Sequence, residues 1–211
     1  MAGGAILDFA LNKLQLIALA VLLAAYVVKV LQLVRLSRPP DAGSPRGSVG
    51  RGVLVAYLTL LSPFSMESTR TRLWRWLVFG LYHLGILVAI LVSFLIPLAP
   101  GVMTWPVREG AAAIIAAAIA AGLIKLVMRL AQPALRLVST PDDYFSLAAL
   151  EVWFLLGVPA LLLNTFTWLL AYFVATAVLL VYVPFSKSSH YIYWFFSRQL
   201  FGQRYGRRGI L

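Results

Sequence analysis

The chain has 211 residues, of which 62% are hydrophobic, a formal net charge of +11 and no cysteine, and its mean hydropathy is +0.89. A soluble domain this apolar would expose too much hydrophobic surface to stay dispersed, so composition excludes that class and predicts an all-α integral membrane protein in one membrane domain, 1–211. The missing cysteine excludes disulfides, thiolate-held iron–sulfur clusters and covalent c-type haem attachment.

Crossing a hydrocarbon core of about 30 Å takes roughly 20 apolar residues, and five runs reach that size. At the N-terminus, Asp8 and Lys13 flank a run that continues into the first span, without the pattern of a cleaved signal peptide. The spans are expected near 14–36, interrupted by Lys29; 76–98; 111–130; 145–163, carrying Glu151; and 166–185. The last two form a stretch too long for one crossing, with Asn164 and Thr165 as the turn and Thr165 as a candidate N-cap. Between spans one and two, the run 53–61 is too short to cross and predicts an interfacial helix bounded by Gly52 and Ser62-Pro63. Pro39-Pro40 and Gly43, Gly47, Gly50 and Gly52 mark an irregular loop. The alanine-rich stretch 111–121 predicts close helix approach.

Basic residues alternate along the chain. Arg35, Arg38, Arg46, Arg51, Arg70, Arg72 and Arg75 lie after span one, in the expected cytoplasmic loop 37–75 and at its edges. Only Arg108 lies in the next loop. Lys125, Arg129 and Arg136 follow at the end of span three, none lies between spans four and five, and Lys187, Arg198, Arg204, Arg207 and Arg208 lie at and beyond the last span. The positive-inside rule then puts the N-terminus outside and the C-terminus in the cytoplasm. The surplus charge reads as topology and affinity for anionic lipid, with an acidic partner on the basic tail 191–211 as the sharper alternative, and not as nucleic-acid binding.

Two histidines, His83 and His190, are the whole supply, and each lies in or at the end of an apolar segment. An ionisable ring in a bilayer is costly and marks a functional position by default. Two of them fit the axial ligands of one b-type haem, provided they reach the same depth. His83 lies eight residues past Arg75, roughly 12 Å into span two. His190 lies roughly 36 Å along from Phe166, so tilt or a kink at Pro184 is needed to match the depths. Packing histidines, with His190 an interfacial neighbour of Tyr191 and Tyr193, are the bland alternative.

Local sequence adds a resemblance. Leu81-Tyr82-His83-Leu84-Gly85-Ile86-Leu87 and Val183-Pro184-Phe185-Ser186-Lys187-Ser188-Ser189-His190 resemble the cytochrome b (gamma) subunit of respiratory nitrate reductase. Related membrane cytochromes occur in heterodisulfide reductase and in sulfite-reductase-linked complexes. The resemblance covers most of the chain by topology and these two segments by motif. It implies five spans, a cytoplasmic C-terminus and His83 and His190 as ligands of the haem nearer the cytoplasm. The family's second histidine pair falls on Ser93 and Tyr172, which implies a one-haem variant. The family's quinol site, beside the outer haem, does not carry over.

These readings converge on an electron-transfer subunit, not catalytic alone, that passes electrons between the quinone (or menaquinone) pool and a cytoplasmic iron–sulfur or flavin partner. One haem does not bridge the membrane, so quinone chemistry is expected near it, or an external cytochrome supplies the missing link. Arg70, Arg72, Arg75 and Lys187 are candidate propionate partners, each also explained as a topology charge. Lys29 and Glu151 are in-span charges, expected either to pair with each other or to serve a quinone or proton site. The alternative function is a cofactor-free membrane anchor or scaffold.

Overall fold

The computed structural model describes residues 2–36, 41, 43–65 and 67–211. Arg38, Pro39 and Pro40 of the expected loop lie outside them. In chain order the helices are α1 (Ala2–Asp8), α2 (Gln15–Arg35), α3 (Val49–Leu61), α4 (Glu67–Arg70), α5 (Leu73–Leu98), α6 (Trp105–Ala131), α7 (Pro133–Val138), α8 (Pro141–Leu163), α9 (Phe166–Tyr182) and α10 (His190–Arg207). A π-helical segment, Phe9–Leu14, joins α1 to α2. Among the described residues there is no strand.

Among the described residues, five helical stretches are long and apolar enough to cross a membrane: Gly3–Arg35, Leu73–Leu98, Trp105–Ala131, Pro141–Leu163 and Phe166–Phe185. The protein is a multi-pass membrane protein built on the expected five spans, with α3 as the shorter apolar helix. Most spans begin earlier than hydropathy places them, because polar first turns are still helical. At α8, Thr140 and Asp143 form a capping box ahead of Pro141, which suits the first helical position. The same helix ends on Asn164, whose φ of 51° gives the left-handed turn that terminates helices. Thr165 precedes α9 in extended conformation, but its side chain makes no capping bond. Pro184 sits in a 3₁₀ turn, Val183–Phe185, that ends the fifth span.

The chain forms two compact units, residues 1–24 with 77–187 and residues 25–76 with 188–211. In the first unit the inward face of α6 is almost all small: Ala111, Ala112, Ala118, Ala121 and Gly122 are buried there with Ile115. This realises the close approach expected of the alanine stretch. Gly85 of α5 meets Ala118 so closely that a Cβ on Gly85 has no room. In lipid, packing and hydrogen bonds hold helices together, because the tails are as apolar as the side chains. Accordingly, Phe154 and Phe173 are fully buried, and two buried polar pairs join helices. Trp153 Nε1 donates to Thr176 at 2.8 Å, and Gln15 Nε2 donates to Ser93 at 3.1 Å. Such bonds contribute about 0.6 kcal/mol each on average.

In the second unit α3 and α10 run antiparallel. Ser48 lies against Gly206, Gly52 against Gly202 and Gly206, and the Tyr57 hydroxyl donates to the Phe195 carbonyl at 3.0 Å. A Cβ on Gly202 would sit 2.5 Å from the Val53 Cα, and one on Gly206 would sit 2.6 Å from the Ser48 carbonyl oxygen. The two glycines are four residues apart, so they share one helix face and let the backbones touch. The basic tail is therefore an ordered helix. Past its end, Arg208 pairs with Asp41 at 2.6 Å, and the guanidinium holds that carboxyl below the usual carboxylate range.

Candidate functional site

His83 sits on α5 beside the inward face made by Tyr82, Gly85, Ala89, Val92, Ser93 and Ile96. It belongs to the opposite, outward side with Phe79 and Leu87, both about half exposed, and is itself half-buried. Its Nδ1 lies 2.7 Å from the carbonyl oxygen of Phe79, one turn earlier. A carbonyl only accepts, so Nδ1 carries the proton and Nε2 carries the ring lone pair. In the neutral ring that leaves Nε2 as the nitrogen with ligating capacity, and a bond of this kind from the other nitrogen fixes ring orientation at metal sites. Phe79 adds a ring contact at 4.0 Å between centroids. Gly80, three residues before His83, has open space where its Cβ would stand. The helix surface beside the imidazole is therefore low, as a flat macrocycle would require.

His190 opens α10 in the second unit and is exposed. Its placement comes from one face of α2. Lys29 Nζ donates to the Ser189 hydroxyl at 2.9 Å and lies 5.4 Å from the Tyr193 ring centroid. Tyr26, one turn away, meets Tyr191 hydroxyl to hydroxyl and edge to face, with centroids 5.6 Å apart. Burial pushes the Tyr191 hydroxyl up, so it stays a neutral hydrogen-bonding group. Residues on both sides of His190 are thus pinned. Lys29, expected as a salt-bridge partner of Glu151 or part of a quinone site, acts here as a clamp on the turn that carries His190. Tyr26 and Ser189 are positioning residues that sequence reasoning missed. The only signal was the i, i+3 spacing of Tyr26 and Lys29.

The candidate propionate partners fall in different surroundings. Arg70 ends α4 and is exposed, as is Arg72. Arg75 is half-buried with its guanidinium 5.5 Å from the Trp74 ring centroid. Lys187 belongs to the first unit, where its Nζ donates to Asp143 at 2.7 Å and its backbone N–H donates to Asp142 at 2.8 Å. Asp143 is 3.6 Å from Arg129 as well. Lys187 is therefore held by the acidic first turn of α8.

Ser93 and Tyr172, which stand where the resembling family has its second histidine pair, are both fully buried. Ser93 donates to the Ile90 carbonyl at 2.8 Å and accepts from Gln15. Tyr172 donates to the Ala89 carbonyl at 2.6 Å, and its ring stacks on Trp153 with centroids 5.9 Å apart. Both are integral to the helix packing of the first unit.

Glu151 is buried on α8. Its surroundings come from α6 and α5: Gly122 lies directly against the carboxylate, Lys125 is the neighbouring charge, and Tyr82 lies close by. Sequence reasoning treated Lys125 only as a topology charge and Tyr82 only as part of a motif. Among the described residues, no group of three His, Cys, Asp or Glu side chains is arranged to hold a metal ion.

No family model matches the chain. A protein of Nitratidesulfovibrio vulgaris strain Hildenborough is similar to it, 29% identical over 185 residues that cover 80% of this chain and 78% of the relative. No solved structure matches.

Proposed function

We propose that the protein is a single-haem cytochrome b membrane subunit. In this reading it passes electrons between the quinone pool and a cytoplasmic iron–sulfur or flavin partner, from the inner membrane of a prokaryote. The observation that carries the reading is the Nδ1–H bond of His83 to the Phe79 carbonyl, which leaves Nε2 as the lone-pair nitrogen of a ring fixed in orientation. The resemblance of the two histidine-bearing segments to the gamma subunit of nitrate reductase supports it, as do the open surface at Gly80 and the pinned start of α10.

A haem b, when bound, supplies one-electron carriage. The chain's own residues do the rest. His83 and His190 would hold the group; Phe79 orients the first side chain and the Tyr26–Lys29 face the second. Arg70, Arg72 and Arg75 are the candidate cations for propionates, and Lys187 is shared with Asp143. Aromatic residues at the start of α10 suit the membrane interface, and the charge of Arg198, Arg204 and Arg207 suits anionic lipid or the acidic surface of the redox partner.

The experiment is a reduced-minus-oxidised optical spectrum of the purified chain, with haem quantified against protein. The expected result is a b-type spectrum at one haem per chain, because Ser93 and Tyr172 supply no second ligand pair. A ratio near two would overturn the single-haem reading. No haem at all, in protein produced with haem available, would leave the cofactor-free anchor in its place.

Orientation has its own check. The arginine distribution places Trp105 outside and the C-terminus in the cytoplasm. A reporter that works only in the cytoplasm should be active when fused after Leu211. One that works only after export should be active when fused within the loop at Trp105. The reverse pattern would invert the topology.

A further inference from the structure

Glu151 is 8% exposed, and neither carboxylate oxygen has a hydrogen-bond partner among the described residues. The Tyr82 hydroxyl, on a side chain 3% exposed, has none either. Lys125 rests its ammonium on the Tyr82 ring, 3.9 Å from the centroid. Among the described residues, no ion pair within 4 Å joins it to Glu151. Gly122, one turn before Lys125, makes the space: a Cβ there would overlap the carboxylate, with Cδ only 2.6 Å away. Three spans thus contribute a carboxylate, an ammonium and a phenol to one buried place, with a glycine clearing room for them.

Helix packing alone does not require this set. An ionised carboxylate without donors in apolar surroundings is expensive, and in-span ionisable groups persist where they have a task. Here the group exists either as a carboxyl carrying a proton or as a carboxylate compensated by Lys125. Passing between those states binds or releases one proton. A line of charged groups also leads to it. Arg129 lies one turn from Lys125 on the same face of α6 and bears on it electrostatically. Asp143, 3.6 Å from Arg129, lies two turns before Glu151 on α8. The remaining titratable group near Tyr82 is His83, with ring centroids 6.1 Å apart.

We propose that Glu151, Lys125 and Tyr82 form an intramembrane proton-binding site, loaded and unloaded from the end of the first unit where Asp143 and Arg129 meet. The ligand is a proton, and Glu151 is the group that holds it. The site extends the electron-transfer reading and does not rest on it.

The test is labelling of the purified full chain with dicyclohexylcarbodiimide, an apolar reagent that adds to protonated carboxyls and gives a stable N-acylurea where water is excluded. Peptide mass spectrometry locates the adduct. Of the seven acidic residues, Glu151 should accumulate the adduct, with a yield that falls as pH rises. A water-soluble carbodiimide should leave it unmodified. Glu151→Gln should abolish the adduct, and Glu151→Asp should restore it at the same position. Lys125→Met should raise the yield at a given pH, because the cation favours the unreactive carboxylate. Adducts confined to other acids, or a Glu151 yield that does not change with pH, would overturn the proposal. The wild-type pH series decides it even if a variant fails to fold, and the readout is independent of haem content.

Discussion

Alanine in place of either His83 or His190 should erase the low-spin b-type absorption of the purified protein. A six-coordinate haem iron needs both axial nitrogens, and the chain holds no third histidine to substitute. The two variants should differ in their side effects. Losing His83 removes a half-buried ring and its bond to Phe79, so the apoprotein should lose a little stability as well. His190 is exposed at the start of α10, and its loss should leave helix content unchanged. A conservative probe separates ligation from packing: His83→Gln keeps a hydrogen-bonding side chain but should still abolish the low-spin signal. Full haem retention in both alanine variants would end the assignment of these residues as ligands.

Leucine at Gly52 or Gly202 should separate α3 from α10. The atoms that a new Cβ would strike are backbone atoms of the opposite helix, which have no rotamer to escape into. Overpacking a well-packed site costs about 1–3 kcal/mol, and a backbone-to-backbone crossing belongs at or above the top of that range. The chain has no cysteine, so cysteines introduced at Tyr57 and Phe195 can be joined by a bifunctional maleimide without background. Crosslinking should be efficient in the parent and largely lost in Gly52→Leu and Gly202→Leu. Gly50→Ala is the control, because its Cβ meets nothing within 4 Å. It should crosslink normally and stabilise α3 by up to about 1 kcal/mol. Equal crosslinking in all variants would mean that the crossing is not held at these glycines.

The spans were legible because hydropathy over 20 residues integrates a large signal, and errors of a few residues at the ends do not matter. The turn at Asn164 was legible for a local reason, as Asn tolerates the left-handed conformation that ends α8. The helix pair in the second unit was not. Gly202 and Gly206 sit in a stretch dominated by arginine, glutamine and tyrosine, where low hydropathy reads as a solvated tail. Their partner Gly52 is 150 residues away in sequence. The partners of charged residues were illegible for a related reason. Depth follows from residue number, but azimuth around the helix and crossing angle decide which side chains meet. Lys29 turns to Ser189 and Tyr193, while Glu151 lies beside Gly122 and Lys125. Adjacent residues on α5 show the same point, since Tyr82 faces the core and its neighbour His83 faces outward.

Asp143 carries several attachments at once. One carboxylate caps the start of α8 through Thr140, binds Lys187 after the fifth span and lies within reach of Arg129 on α6. These partners are not made together. A ribosome delivers Arg129 first, then Thr140 and Asp143, and Lys187 only after the whole of α9. During synthesis the carboxylate can therefore cap its own helix and engage Arg129 while the last span is still missing. The final bond becomes available only once Phe166–Tyr182 has been made and its exit has emerged. The Lys187–Asp143 contact is thus a late clasp in the assembly of the bundle, and a chain truncated before residue 187 would carry every span, with α9 still bonded through Tyr172, Thr176 and Tyr182, yet lack the clasp at its exit.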